Sequence, residues 1–225
     1  MSLILYRYLS ALHGLHVLQS AELKVGRMLE LNDPLDCQPN IVTAPEELDD
    51  DAYAAFSRRF LGTLHEEFGL LCYSAVIDDP VIWSHYADAH RGMVLEFEFE
   101  NPPLGVVYPP DDLRPQLDPN DPEIQGDSLW AIMIGFTRKA KSWEYEKEYR
   151  EFIELSACRM AGHHYFCSPR GILRRVILGV RSSLSVSDAR HALSDQWPAS
   201  VRNGVVVTKA TAFRHSFRIV VEKPS

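Results

Sequence analysis

No apolar run in this chain approaches the ~20 residues that a membrane-spanning helix needs, so no membrane association is expected. No G-x-G-x-x-G or P-loop sequence is present, which disfavours the common nucleotide-binding folds. No G-x-S-x-G elbow is present either, which disfavours the usual serine hydrolase arrangement. The four cysteines, Cys37, Cys72, Cys158 and Cys167, form no C-x-x-C pair. Together with the lack of a basic-then-apolar leader, they fit a cytoplasmic protein with reduced thiols. Cys158, His163, His164 and Cys167 lack the short paired spacings of a zinc site, so no metal is expected. Positive charge is in deficit: 23 Lys and Arg stand against 31 Asp and Glu, a formal net charge of −8. That argues against nucleic-acid binding over the whole surface. It leaves room for a local basic groove at Arg138, Lys139 and Lys141, or at Arg170, Arg174 and Arg175.

At 225 residues with 46% hydrophobic content, the chain can bury a full core. A single domain over 1–225 is expected. Leu3 to Tyr8 reads as a first strand, and Ser10 as the cap of a following helix. Asn32-Asp33-Pro34 is a turn signal. Pro45 and the acids beside it open a helix that carries Leu61 and Leu64. Leu70 to Ser74 reads as a buried strand, and Asp79-Pro80 starts a short helix with Trp83 and Tyr86. Met93 to Phe99 alternates and is the clearest strand. Residues 101–125, rich in Pro and Asp, read as an ordered surface loop. A helix over 128–138 is expected, then strands at 173–180, 205–207 and 217–221, with a helix at 185–195. Without internal repeats or regular βαβ alternation, the pattern predicts an α+β fold. Its sheet is expected to be mixed, mostly antiparallel and split around a cleft.

The densest segment is Lys141-Ser142-Trp143-Glu144-Tyr145-Glu146-Lys147-Glu148-Tyr149-Arg150. Read as a strand, it places Glu146, Glu148 and Arg150 on one face and Tyr145, Lys147 and Tyr149 on the other. Two carboxylates on one face need a cationic partner, a solvent-facing cleft or a ligand. The plain alternative is an exposed strand edge with Glu148 paired to Arg150 or Lys147, which stabilises little.

An ordered set of motifs resembles the bacterial DUF2971 family. It comprises Leu5-Tyr6-Arg7-Tyr8, Leu31-Asn32-Asp33-Pro34-Leu35-Asp36, Cys72-Tyr73-Ser74, and Trp83-Ser84-His85-Tyr86-Ala87-Asp88 with His90 and Gly92. It ends with the 141–150 segment and Val176-Ile177-Leu178-Gly179. A more distant resemblance is to ADP-ribosyltransferase-like proteins. Arg7, Tyr73-Ser74 and Glu146-Lys147-Glu148 follow the order of those proteins' basic strand residue, Ser or Tyr strand and glutamate strand.

That resemblance implies NAD as substrate and Glu148 as the catalytic carboxylate, with Glu146 as its helper. It implies an NAD site drawn from Tyr6, Arg7, Tyr8, Asn32, Asp33, Tyr73, Ser74 and Tyr86. Arg7 would hold phosphate, and an aromatic ring would stack on nicotinamide. The acceptor would be a protein or nucleic acid, in a toxin or phage-defence setting. The alternatives are a catalytically silent binding module on the same fold and a small metal-free hydrolase. Trp83 and Tyr86 read equally as core aromatics, and Asn32-Asp33-Pro34 as a plain turn.

Overall fold

The computed structural model describes residues 2–41, 49–111, 113–117 and 135–221. In chain order the first strands and helices are β1 (Leu3–Leu9), α1 (Ala11–Ser20), β2 (Leu23–Arg27), β3 (Asn40–Ile41), α2 (Asp50–Glu67), β4 (Phe68–Ser74), α3 (Pro80–Tyr86) and β5 (Met93–Phe99). There follow β6 (Leu104–Gly105), β7 (Gln116–Leu117), β8 (Glu148–Glu154), β9 (Arg159–Ala161), β10 (His164–Cys167) and β11 (Ile172–Leu178). The last are α4 (Val186–Ala192), α5 (Ala199–Gly204), β12 (Val206–Lys209), β13 (Thr211–Ala212) and β14 (Ile219–Val220). The fold is α+β, with a mostly antiparallel, open mixed sheet. The chain forms two compact units. One comprises Met1–Leu23, Cys72–Pro103 and Phe166–Ser225, the other Lys24–Leu71 and Leu104–Tyr165.

In the first unit, β5 lies between β1 and β11 and is antiparallel to both, and β12 extends β11 in parallel. Six of the seven residues of β5 are buried. Its position between two strands pairs both of its edges. Glu96 is tolerated there because it stands opposite Arg175 and accepts from the Arg175 Nε at 3.0 Å. Glu98, one pleat on, pairs with Arg174 at 2.7 Å near the surface. Local signals work as chemistry dictates. The Ser10 side chain accepts from the His13 N–H, and the Asp79 carboxylate from the Val81 and Ile82 N–H groups, capping α1 and α3. Ser185 and Asp188 form a capping box on α4.

Trp83 is fully buried with Ala87, Val94 and Ile177, and its indole N–H donates to the Ile77 carbonyl at 2.6 Å. Asp88, Ala89 and His90 all have positive φ. This costly backbone is closed by close approaches. A Cβ on Gly92 would lie 2.0 Å from the Leu9 carbonyl oxygen, and one on Gly179 would lie 2.1 Å from that of His90. The His90-x-Gly92 and Leu178-Gly179 motifs therefore meet as backbone against backbone, with Gly179 N–H donating to the Gly92 carbonyl at 2.9 Å.

In the second unit, β2 pairs antiparallel with the start of β4, β6 with β8, and β3 runs parallel to β7. The loop expected over 101–125 thus contributes two short strands. The helix opening expected at 44–47 lies outside the described residues. So does most of the helix expected over 128–138, although Gly135 and Phe136 are helical and Phe136 is fully buried. Leu61 and Leu64 on α2 are buried as their spacing predicts. No helix among the described residues is long and apolar enough to cross a membrane.

Candidate functional site

Lys141–Glu146 is not a strand but a 3-10 helix. Lys147 follows in the left-handed conformation at φ 43°, and only then does β8 begin at Glu148. This corrects the single-strand reading, in which Glu146 shared a strand face with Glu148. In a 3-10 turn, residues three apart eclipse each other, so Trp143 and Glu146 face the same way. Both meet Lys139, whose Nζ lies 4.7 Å from the Trp143 ring centroid and donates to the Glu146 Oε2 at 2.6 Å. The left-handed Lys147 then turns the chain so that Glu148 and Arg150 project together from one face of β8.

The carboxylates are not at an exposed edge. Glu146 is 4% exposed, Glu148 6% and Arg150 1%. Arg150 Nε donates to Glu148 Oε1 at 2.9 Å, and Nη2 to Oε2 at 2.9 Å. Lys139 Nζ reaches the same Oε2 at 3.2 Å. Arg150 also donates to both oxygens of Asp36 and to the Phe136 carbonyl. Burial opposes the Arg150 charge, but Glu148, Cys37 and Asp36 outweigh it and hold the guanidinium well above its ordinary pKa. The Tyr108 hydroxyl accepts from the Glu148 N–H at 2.9 Å, and burial pushes its pKa up to about 12. The cluster therefore joins three carboxylates, Asp36, Glu146 and Glu148, to two cations, Lys139 and Arg150.

Asp33 belongs to the same unit. Its Oδ1 caps the Leu35 N–H at 2.9 Å, and its Oδ2 accepts from the Trp143 indole at 2.8 Å. Asn32 is exposed. The Asn32-to-Asp36 motif and the 141–150 motif, about a hundred residues apart, thus converge on one cluster. A depression of about 510 Å³, open solvent included, is lined by Asp33, Asp36, Arg114, Arg138 and Lys139 among others.

The other candidate residues lie in the first unit. Tyr6 and Tyr8 pack against the Trp83 cluster on one face of β1. The Tyr8 hydroxyl donates to the Val76 carbonyl at 2.7 Å, and its ring meets Trp83 edge-on at 5.4 Å. Burial raises the pKa of both tyrosines. Arg7, on the opposite face, donates to the Cys72 carbonyl at 2.6 Å and lies 5.8 Å from the Tyr73 ring centroid. Ser74 accepts from the Val76 N–H at 3.0 Å. Tyr86 ends α3, half-buried. No disulfide joins any of the four cysteines.

Asp36, Cys37 and Tyr108 carried no role in the sequence reading, and Lys139 appeared there only as a basic-groove candidate. The Trp143-x-x-Glu146 spacing was the available signal for Lys139, since only a three-residue period turns both toward one cation. No family model, curated protein or solved structure matches the chain.

Proposed function

We propose that this chain is an ADP-ribosyltransferase-like enzyme of the DUF2971 kind that cleaves NAD, with Glu148 as the catalytic carboxylate and Glu146 beside it. The observation that supports this reading is the charge count of the buried cluster: among the described residues, three carboxylates share two cations. Surplus negative charge held away from water is costly, and such charge concentrates where chemistry is done. Breaking the bond between nicotinamide and ribose develops positive charge on the sugar. A fixed carboxylate stabilises that charge as it forms. Glu148 would take this role while nicotinamide leaves, and the ADP-ribosyl group would pass to water or to a protein or nucleic-acid acceptor. Asn32 and Asp33, in the same unit as Glu148, are the proposed NAD contacts. A toxin or phage-defence setting belongs to the same proposal.

One observation favours a second reading, a catalytically silent binding module. Both Glu148 oxygens are already engaged by cations of their own unit, so the cluster can serve to stiffen that unit. The deciding experiment is incubation of the full chain with NAD and measurement of free nicotinamide, with Glu148→Gln as the comparison. The enzyme reading expects release by the wild type and a loss of at least about 100-fold in the variant, with the circular dichroism spectrum retained. A wild type that neither binds nor cleaves NAD removes it and leaves the module.

A further inference from the structure

We propose that Arg114 and Arg138 form an anion subsite at the depression in the second unit, and that it takes the phosphates of a nucleoside diphosphate. The identity of that ligand as part of NAD rests on the reading above; the anion site itself does not.

The acidic side chains of the depression are turned to internal work. The two oxygens of Asp33 accept from the Leu35 N–H and the Trp143 indole. Those of Asp36 accept from the Cys37 N–H and from both terminal nitrogens of Arg150. Lys139 is held by Glu146 and Glu148. Arg114 and Arg138 differ. Both are exposed and line the depression, and neither side chain has an ion-pair or hydrogen-bond partner among the described residues. A guanidinium offers a planar fork of donors that matches phosphate oxygens in pairs. The wall that carries Arg138 is fixed by backbone bonds, Lys139 N–H to the Val107 carbonyl at 3.1 Å and Val107 N–H to the Thr137 carbonyl at 2.8 Å. Its position therefore does not depend on a ligand.

The charges are also ordered. Among the described residues the buried cluster joins three carboxylates to two cations, while the exposed lining carries two guanidiniums that pair with no described residue. A ligand with a cationic end and a diphosphate would be oriented by that difference, the cationic ring toward Glu148 and the phosphates toward Arg114 and Arg138. NAD has this distribution, and the polarity follows from Coulomb attraction alone.

The test is calorimetric titration of the full chain with inorganic pyrophosphate and with ADP. It compares the wild type with Arg114→Gln, Arg138→Gln and the double variant, and uses Arg174→Gln, an exposed arginine of the other unit, as control. Each single change is expected to weaken pyrophosphate binding about tenfold and the double change to abolish it. The control should leave binding unchanged, and all variants should keep the wild-type melting temperature. Absence of pyrophosphate binding in the wild type, or undiminished binding in the double variant, overturns the subsite. Nicotinamide release is measured on the same proteins. Pyrophosphate binding that depends on the two arginines, without turnover, removes the enzyme reading and retains the subsite. Turnover with an unaltered KM in the double variant does the reverse.

Discussion

Arg150 grips Asp36 through two parallel hydrogen bonds, Nη1 to Oδ1 at 2.9 Å and Nη2 to Oδ2 at 2.6 Å, between residues 114 apart in sequence. The fork geometry belongs to arginine alone, because a lysine ammonium presents one charge centre and cannot span both oxygens. The same guanidinium also serves Glu148. Arg150→Lys is therefore expected to destabilise the chain by about 3–5 kcal/mol, the cost of breaking a buried pair. The midpoint of urea unfolding measures this, and a variant within about 1.4 kcal/mol (one tenfold step) of the wild type would show that the clasp is dispensable.

The surplus carboxylate makes the cluster asymmetric toward substitution. Glu146→Gln removes one negative charge and leaves two carboxylates facing two cations. Lys139→Met removes the cation that holds Glu146 and one of the two that hold Glu148, while Arg150 keeps Glu148 and Asp36. The first is expected to cost no more than about 1–2 kcal/mol, within the range of a single hydrogen bond, and the second about 3–5 kcal/mol. Equal losses in parallel denaturant titrations would contradict the charge count.

His65 ends α2 almost fully buried, with its ring 5.9 Å from Phe136. Burial lowers its pKa, and the nearby Arg27 adds to the effect against a backbone hydrogen bond at Cys37. The folded state thus holds this imidazole neutral after the unfolded chain has begun to protonate. The stabilisation is complete above pH ~6.5 and is lost as pH falls toward the lowered folded value. Unfolding free energy is expected to decline on acidification from that point, with a shallower decline in His65→Phe. Matching slopes would assign the acid sensitivity elsewhere, for instance to His90, whose pKa burial also lowers.

Gly92 leaves no room for a side chain, since an added Cβ meets the Leu9 carbonyl oxygen at 2.0 Å and the Ala87 carbonyl oxygen at 3.0 Å. Both obstacles are backbone and cannot swing aside. Gly92→Ala is expected to destabilise by about 2–4 kcal/mol, in the upper range of single substitutions, and to lower the melting temperature. Gly62→Ala is the contrast, because a Cβ at Gly62 meets nothing within 4 Å and helix propensity favours alanine.

Several elements were legible because their signals are local. Met93–Phe99 forms β5 over the bounds that its pattern marks, and the Ser10, Asp79 and Ser185 caps follow from side chains that reach their own backbone. The 141–150 segment was misread because an acidic-aromatic alternation satisfies a two-residue period on paper. Lys139, two residues before it, selects a three-residue period by holding Trp143 and Glu146 together. The burial of Glu96 was invisible for a related reason: it depends on Arg175, which only the register of β5 against β11 brings opposite.

The sequence by itself determined the α+β class, the caps and turns, and the density of carboxylates around Glu148, since these depend on side-chain chemistry within a few residues. Tertiary structure decided that the carboxylates are buried, that Asp36 and Lys139 join them, and that the acids outnumber their cations among the described residues. Those outcomes depend on which distant charges meet away from water, where an ion pair is strong and an unmatched charge is costly.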